Sequence, residues 1–110
     1  MEKLIKKYIP MTETAFYILL ALDGPKHGYG IIKRVEELTQ GRIHLGSGTI
    51  YGTLSKMEKD GLISLFADVE RKLIYEITPV GKKIIQLEMI RIEQLYRNVQ
   101  LLKEAFVDEN

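Results

Sequence analysis

The sequence predicts a mostly α-helical fold that contains a small β hairpin and ends in a long helix. Apolar residues recur at helical spacing in several segments, whereas between residues 62 and 77 they alternate with the two-residue period of strands. The chain has 110 residues, enough for one domain and not for two, and its 45% hydrophobic and 28% charged residues are typical of a globular protein. We therefore expect one packed unit from which a helix extends.

Three helices are predicted before the hairpin. The first spans residues 12–22, begins at Thr12, a residue type that caps helix N-termini, and ends at an Asp-Gly-Pro sequence. The second spans residues 29–39 and is apolar on one side only, so we expect it at the surface. The third spans residues 47–60, with Ser47 as its predicted N-cap and a glycine directly after it.

Two short strands and a long helix follow. The strands are predicted over residues 62–67 and 72–77, and because an isolated hairpin is unstable, it must pack on the three helices. Thr78 and Pro79 are the residue types favoured at an N-cap and at the first helical position, and the helix they begin extends to about residue 107. Three helices closed by such a hairpin make a winged helix-turn-helix.

The exposed face of the third helix is small, polar and basic, as entry into the major groove of DNA requires. Short hydroxyl side chains reach phosphates and base edges, lysines neutralise the DNA backbone, and the free N–H groups at a helix start suit a phosphate. The hairpin tip and the turn before the second helix add cations. The candidate DNA contacts are Ser47, Thr49, Thr53, Lys56, Arg71, Lys72, Lys26 and His27. For His27 a local hydrogen bond is favoured over a ligand contact, and a merely solvated helix would show similar residue types.

The last helix carries an apolar seam that the domain cannot cover. Successive spacings of seven, three, four, three and four residues place the seam on one side of the helix, and only Glu88 interrupts it. The seam consists of Ile85, Ile92, Leu95, Val99, Leu102 and Phe106. A second copy of the chain is the simplest partner, and such a two-fold dimer would present two recognition helices to half-sites about 34 Å apart.

Four motifs resemble the PadR family of bacterial transcriptional regulators. They are ETAFYILLALDGP at 13–25, HGYGI at 27–31, GSGTIYGTLSKMEKDGLI at 46–63 and RKLIYEITPVGKKI at 71–84, and the resemblance covers about residues 12–88. The resemblance implies a winged-helix repressor that dimerises through its C-terminal helix and binds an operator with inverted symmetry.

The resemblance also implies roles for single residues. Tyr51 of GTIY and Tyr29 of HGY would stand near the heads of the recognition helix and of the second helix, with the Tyr51 hydroxyl free to reach a phosphate. Many members have a proline where this chain has Gly52. Some members bind small aromatic or drug-like molecules at the dimer interface. Tyr8 and Tyr96 would be the stacking residues here, although an aromatic residue on a dimer seam more often packs than binds.

These predictions divide the chain into three parts. Residues 1–11 are an N-terminal extension, residues 12–78 the winged helix-turn-helix DNA-binding domain, and residues 79–107 the C-terminal dimerisation helix. The extension has apolar residues at helical spacing. We therefore expect it to pack against the last helix, in the same chain or across the dimer, although a terminal segment of this length can also fray.

Composition argues against several other classes of protein. The chain has no cysteine, and nothing in the spacing gives its two histidines carboxylate partners, so we expect no metal site and no cofactor. No nucleophile with an adjacent base and no nucleotide-binding glycine motif is present, which argues against an enzyme. The apolar runs are too short to span a membrane and the N-terminus is not a secretory signal, so we expect a cytoplasmic protein.

The net charge leaves one alternative open. Sixteen Lys and Arg against fifteen Asp and Glu give +1, whereas DNA contacts are made by an excess of cations. A winged helix that binds protein and not DNA fits this balance. A DNA binder needs its cations gathered on one surface, and we predict that this surface is shared by Lys26, Lys56, Lys59, Arg71 and Lys72.

Overall fold

The computed structural model describes residues 1–108, and within them the chain forms a winged helix-turn-helix with a helix before and after it. The α-helices are α1 (Glu2–Tyr8), α2 (Glu13–Leu20), α3 (Gly28–Leu38), α4 (Ser47–Lys59) and α5 (Pro79–Leu102), and a 3₁₀ turn spans Lys103–Phe106. The strands are β1 (Lys26–His27), β2 (Ile63–Val69) and β3 (Lys72–Ile77). They form one antiparallel sheet in the order β1-β3-β2. The predicted fold class is confirmed.

Hydroxyl side chains cap two of the helices where the sequence predicts it. The Oγ1 of Thr12 accepts a hydrogen bond from the Ala15 N–H at 3.1 Å, and that of Thr78 accepts one from the Gly81 N–H at 3.0 Å. The start of α4 differs by one residue, because Gly46 and not Ser47 is its N-cap and no side chain caps it. The first N–H groups of α4 are therefore not taken by a side-chain cap.

The sheet has one strand more than predicted. Lys26 and His27, expected in a turn, pair with Tyr75 and Ile74 of β3. Two residues are too few to show an alternating pattern, so sequence periodicity could not reveal this strand. The hairpin is also longer than predicted, since β2 extends to Val69 and leaves only two residues for the turn before β3.

The core lies between the helices and the inner face of the sheet, and the first turn of α5 lies very close to the end of the sheet. The fully buried side chains of the core include Ile18, Leu19, Ile31, Ile50, Leu54, Leu62 and Ile84. A Cβ built on Gly81 would overlap the carbonyl oxygen of Leu62 and lie 2.8 Å from Cγ1 of Ile77. Only glycine lets the start of α5 approach the sheet this closely.

Met11, which precedes α2, is hydrogen-bonded to a buried carboxylate on α5 of the same chain. Glu88, predicted as an interruption of the apolar seam, is completely buried. It accepts hydrogen bonds from Nε and Nη2 of Arg91 at 2.6 and 2.9 Å and from the Met11 N–H at 2.9 Å. Its charge is thus paired and hydrogen-bonded, as burial requires.

The last helix is shorter than predicted, and the predicted apolar seam is exposed only along its distal half. It ends at Leu102, where the 3₁₀ turn begins, and not at residue 107. Ile85, predicted on the dimer seam, is instead buried in the core of its own protomer, because the first turns of α5 pack on the domain. Ile92 is half-buried. Beyond it the apolar residues of α5 have large exposed surfaces.

Candidate nucleic-acid interface

A cleft of about 410 Å³ lies between α3, α4 and the β2–β3 hairpin, and we call it the wing cleft. It is lined by His27, Tyr29, Tyr51, Arg71, Lys72 and Leu73. Half of the predicted DNA contacts therefore meet here, although they come from three segments of the chain. Two cations and two exposed phenol rings make this surface suited to phosphates.

His27 and Tyr29 shape one wall of the wing cleft. The Nδ1 of His27 accepts a hydrogen bond from the Gly30 N–H at 3.3 Å and so caps α3, which confirms the local role predicted for this histidine. The rings of His27 and Tyr29 are nearly parallel, with centroids 6.3 Å apart. The ammonium of Lys33 lies 5.6 Å from the centre of the Tyr29 ring on the exposed surface of α3.

Tyr51 forms the opposite wall and depends on a glycine in α3. A Cβ built on Gly28 would lie 2.9 Å from both Cε1 and the hydroxyl oxygen of Tyr51, which is closer than side chains tolerate. The ring is nonetheless more than half exposed. The absence of a side chain at Gly28 therefore creates the space in which the Tyr51 ring lies at the edge of the core.

The tip of the hairpin is a strained two-residue turn. Glu70 and Arg71 both have positive φ, 51° and 66°, between the paired residues Val69 and Lys72. Hairpin turns with two positive φ angles normally contain Asn and Gly, because residues with larger side chains are strained there. The strained conformation directs Arg71 into the wing cleft.

The outermost face of α4 consists of small residues. Gly48, Gly52 and Ser55 lie opposite the buried stripe at 100° per residue, and a Cβ at either glycine would have no atom within 4 Å. The helix backbone can thus approach a groove closely. Ser47 and Thr49 are exposed at the first turn of α4. Their exposure is compatible with the predicted DNA contacts.

Thr53 and Lys56 lie on the other flank of α4, about 140 to 160° around the helix from Tyr51. They line a second cleft, of about 240 Å³, together with Lys7, Tyr8, Thr12 and neighbouring residues, and we call it the N-terminal cleft. The predicted common surface of cations is therefore divided. Arg71 and Lys72 line the wing cleft, whereas Lys56 lines the N-terminal cleft.

Lys26 does not line either of these clefts. Its ammonium bonds to Asp23 at 2.6 Å, and the same carboxylate accepts a hydrogen bond from Arg34 at 2.8 Å. Hydrogen bonds from Lys26 and Arg34 lower the pKa of Asp23 to about 2. Lys26 thus pairs with an acid beside β1 and is not among the cations that line the wing cleft.

The distal half of α5 presents an apolar surface to solvent. Leu95, Val99, Leu102 and Phe106 line an open groove, and Phe106 is 83% exposed. Tyr96 is exposed beside it. Tyr8, the other predicted effector residue, lies elsewhere, because it is buried at the end of α4 with its hydroxyl donating to Asp60 at 2.6 Å. The two tyrosines line no common cleft.

Comparison with known proteins agrees with the geometry of the site. The model of the "Transcriptional regulator PadR-like family" matches residues 18–87, which is most of the winged helix-turn-helix and more than half of the chain. The chain belongs to this family. Transcription regulation and DNA binding follow from membership of the PadR-like family. The predicted resemblance of the chain's sequence motifs to this family is confirmed.

Several relatives extend the comparison of this PadR-like chain. It is 35% identical over 93 residues to an uncharacterized 37.1 kDa protein of transposon Tn4556 in Streptomyces fradiae, covering 84% of the chain but only 26% of that relative. It is 29% identical over 82 residues to the transcriptional regulator Rv3488 of Mycobacterium tuberculosis, covering 72% of the chain and 74% of Rv3488. A transcriptional regulator from Clostridium thermocellum has the same fold, with a TM-score of 0.69, 24% identity and coverage of 91% and 94% of the two chains.

Sequence reasoning missed several residues of this PadR-like site. Gly28 lies in the HGYGI motif, but its contact with Tyr51 joins residues 23 positions apart, so no local pattern in the sequence indicates it. Lys7 was missed because α1 reaches α4 only in the folded chain. Within residues 1–108 no group of three or more metal-ligating side chains comes together, and no helix there is long and apolar enough to cross a membrane.

Proposed function

We propose that this chain is a sequence-specific DNA-binding transcriptional regulator that acts as a homodimer and represses genes next to a pseudo-palindromic operator. The proposal depends on one observation: the wing cleft lies beside the face of α4 that carries only small residues. Gly48 and Gly52 allow the helix to enter the major groove, while Arg71 and Lys72 lie where they can hold the flanking backbone.

A titration with duplex DNA tests the proposal at its first step. A labelled duplex of arbitrary sequence should bind at low salt, and log K should fall linearly with log salt concentration, because cations displace counterions from the phosphates. Selecting bound fragments from the source genome should then yield a site with inverted symmetry. Equal affinity for a single half-site and for the whole selected site would contradict the dimeric mode.

The homodimer is supported by the apolar groove on distal α5. Leu95, Val99 and Leu102 are each more than half exposed, and contiguous apolar surface of this kind marks an interface. A second copy of the same helix supplies a matching surface through a two-fold axis. Sedimentation equilibrium should give twice the chain mass of 12.7 kDa.

Repression and release by a small aromatic effector form the last part of the proposal. Of the residues predicted for an effector site, Tyr96 is exposed next to the α5 groove and would face a cavity at the dimer interface. Tyr8 takes no part, because its hydroxyl bonds to Asp60 inside the protomer. A reporter gene behind the operator tests repression. A thermal-shift screen with planar aromatic compounds, followed by loss of DNA binding, tests release.

A winged helix that binds only protein is the second candidate, and the hairpin gives a specific observation in its favour. Leu65, Phe66 and Val69 of β2 are about half exposed, so the surface of the wing carries several apolar side chains. Combined with the net charge of +1, this surface fits a protein partner. Absence of salt-dependent binding to any duplex would favour this candidate over the regulator.

A further inference from the structure

Helix α1 has two faces of opposite character. At 100° per residue, Leu4, Ile5 and Tyr8 share the side that packs on the protein, whereas Lys3, Lys6 and Lys7 share the opposite, exposed side. Nothing in the fold of the protomer requires three lysines on one face of a helix of this length. Lys7 contacts the C-terminal end of α4, and the exposed lysine face of α1 suits a partner of negative charge.

The C-terminal end of α4 holds α1 in place through Asp60. A carboxylate at this end of a helix is disfavoured by the helix dipole, unless other groups neutralise it. Here Asp60 accepts a hydrogen bond from the Tyr8 hydroxyl at 2.6 Å and forms an ion pair with Lys7 at 2.9 Å. The bonds from Tyr8 and Lys7 hold the pKa of Asp60 below its ordinary value. The carboxylate therefore fixes α1 to the recognition helix.

This arrangement gathers cations on the flank of α4 that faces away from the wing. Lys56 lies beside the Tyr8 ring, with its ammonium 5.8 Å from the ring centre, and lines the N-terminal cleft with Lys7. Lys7 remains 45% exposed, and its three N–H donors exceed what the contact with Asp60 needs. The hydroxyl side chains of Thr12 and Thr53 lie in the same cleft.

We propose that the N-terminal cleft and the lysine face of α1 bind the DNA backbone on the side of the recognition helix opposite to the wing. The small face of α4 lies between the two clefts, so a groove seated on it has one backbone strand at Arg71 and Lys72 and the other at Lys7 and Lys56. Residues 1–8 are then part of the DNA-binding surface. The inference rests on the proposed DNA binding and adds a second set of phosphate contacts to it.

Site-directed cross-linking of the full chain tests the contact directly. The chain has no cysteine, so Lys7→Cys provides a single thiol for an azidophenacyl photo-cross-linker. Arg71→Cys is the wing probe, and Lys83→Cys is the matched control, since Lys83 is exposed on α5 and lines neither cleft. On a labelled duplex of about 30 base pairs at low salt, we expect cross-links to DNA from positions 7 and 71 and only background from position 83.

The salt dependence gives a second readout. Lys7→Ala should reduce the slope of log K against log salt by about 0.9 per protomer, Lys7→Arg should preserve it, and Lys83→Ala should leave it unchanged. If position 71 cross-links to DNA while position 7 reacts only with a second protomer or not at all, the inference is wrong and the proposed function stands. If wild type does not bind the duplex, both are wrong.

Discussion

The phenol ring of Tyr51 lies directly against the backbone of Gly28, with no room for a side chain between them. This contact connects the first turn of α3 to the recognition helix and fixes the ring at the edge of the wing cleft. The two residues are distant in sequence, yet each determines where the other can be. The wing cleft thus depends on a residue that has no functional group.

Gly28→Ala should therefore weaken DNA binding without unfolding the protein. The new methyl group displaces the Tyr51 ring, and we expect a loss of about 2 kcal/mol of binding free energy, the contribution of one hydrogen bond to a charged phosphate. Tyr51→Ala should cost about the same, and the double variant no more than either single one, because both remove the same contact. Fluorescence titration with operator DNA measures all three.

Gly30→Ala is the matched control for this comparison. A Cβ at Gly30 would lie 3.6 Å from Cβ of Lys26, an ordinary contact, so the methyl group fits. Gly30 lies in the same helix, two residues after Gly28. The affinity of the Gly30→Ala variant for DNA should equal that of wild type. An equal loss of affinity in both alanine variants would mean that the Tyr51 contact is not responsible.

The strained hairpin turn predicts a conflict between stability and DNA binding at Arg71. Arg71→Gly removes the strain of a side chain at positive φ and should raise the free energy of unfolding by up to about 1 kcal/mol. The same substitution removes a cation from the wing cleft and should weaken DNA binding. Chemical denaturation and a salt titration measure the two effects.

Glu70→Gly separates strain from charge at the same turn. It relieves the neighbouring positive φ and should stabilise the protein by a similar amount, but it removes an anion and so leaves DNA binding intact or stronger. Loss of DNA affinity in this variant as large as in Arg71→Gly would show that the turn conformation, and not the guanidinium of Arg71, supports binding.

The buried Glu88 predicts a specific dependence of stability on pH. The hydrogen bond from Arg91, aided by that from the Met11 N–H, holds the pKa of Glu88 below its ordinary value. Because the pKa is lower in the folded chain than in the unfolded chain, the stabilisation is complete only above the unfolded-state pKa of about 4.3, and it is lost as the pH falls toward the folded-state value. Urea denaturation from pH 3 to about pH 7 should show this loss.

Arg91→Met should change the sign of this dependence. It leaves a buried carboxylate without its cation, which costs about 3 kcal/mol at neutral pH and raises the pKa of Glu88. At about pH 4 the protonated Glu88 carries no charge, so the penalty should be smaller. Arg97→Met, at an exposed position of the same helix, should cost little at either pH. If Arg91→Met destabilised the protein equally at both pH values, the unpaired charge of Glu88 would not be the cause.

The apolar groove of α5 predicts how dimerisation affects DNA binding. Val99→Glu places a charge in the middle of the seam and should yield a monomer with at least tenfold lower affinity for a full operator, since each half-site then binds separately. Gln100→Glu makes the same charge change one residue away from the seam and should remain dimeric. Analytical ultracentrifugation and gel-shift titration give the two readouts.

The sequence predicted well those parts of the fold that short-range rules govern. Thr12 and Thr78 cap their helices as their residue types indicate, and Pro79 begins α5. The alternating residues of the hairpin located both of its strands to within two residues. By contrast, β1 is too short for any period, and the start of α4 lies one residue from the predicted cap.

The candidate site was less predictable, because contacts between distant segments determine it. Helical projection correctly separated the buried stripe of α4 from its exposed face, but could not show that Lys56 faces α1 while Tyr51 faces the wing. Asp60 pairs with Lys7, 53 residues away in the sequence, in a way that no spacing rule indicates. Ile85 fits the spacing of the apolar seam as well as the exposed residues do, yet it is buried in the core of the domain. Spacing alone therefore could not separate it from the exposed part of the seam.

In the proposed dimer, joined at the tips of its two α5 helices, the part of α5 that projects beyond the domain would act as a lever arm. The molecule is 58 Å along its longest axis but only 21 Å along its shortest, and the 24 residues of α5 span about 36 Å. A rotation of about 5° at the tip would move the base of the helix by about 3 Å, close to the rise of one base pair. A small change in packing at the far end of α5 could therefore shift the two recognition helices out of phase with their half-sites.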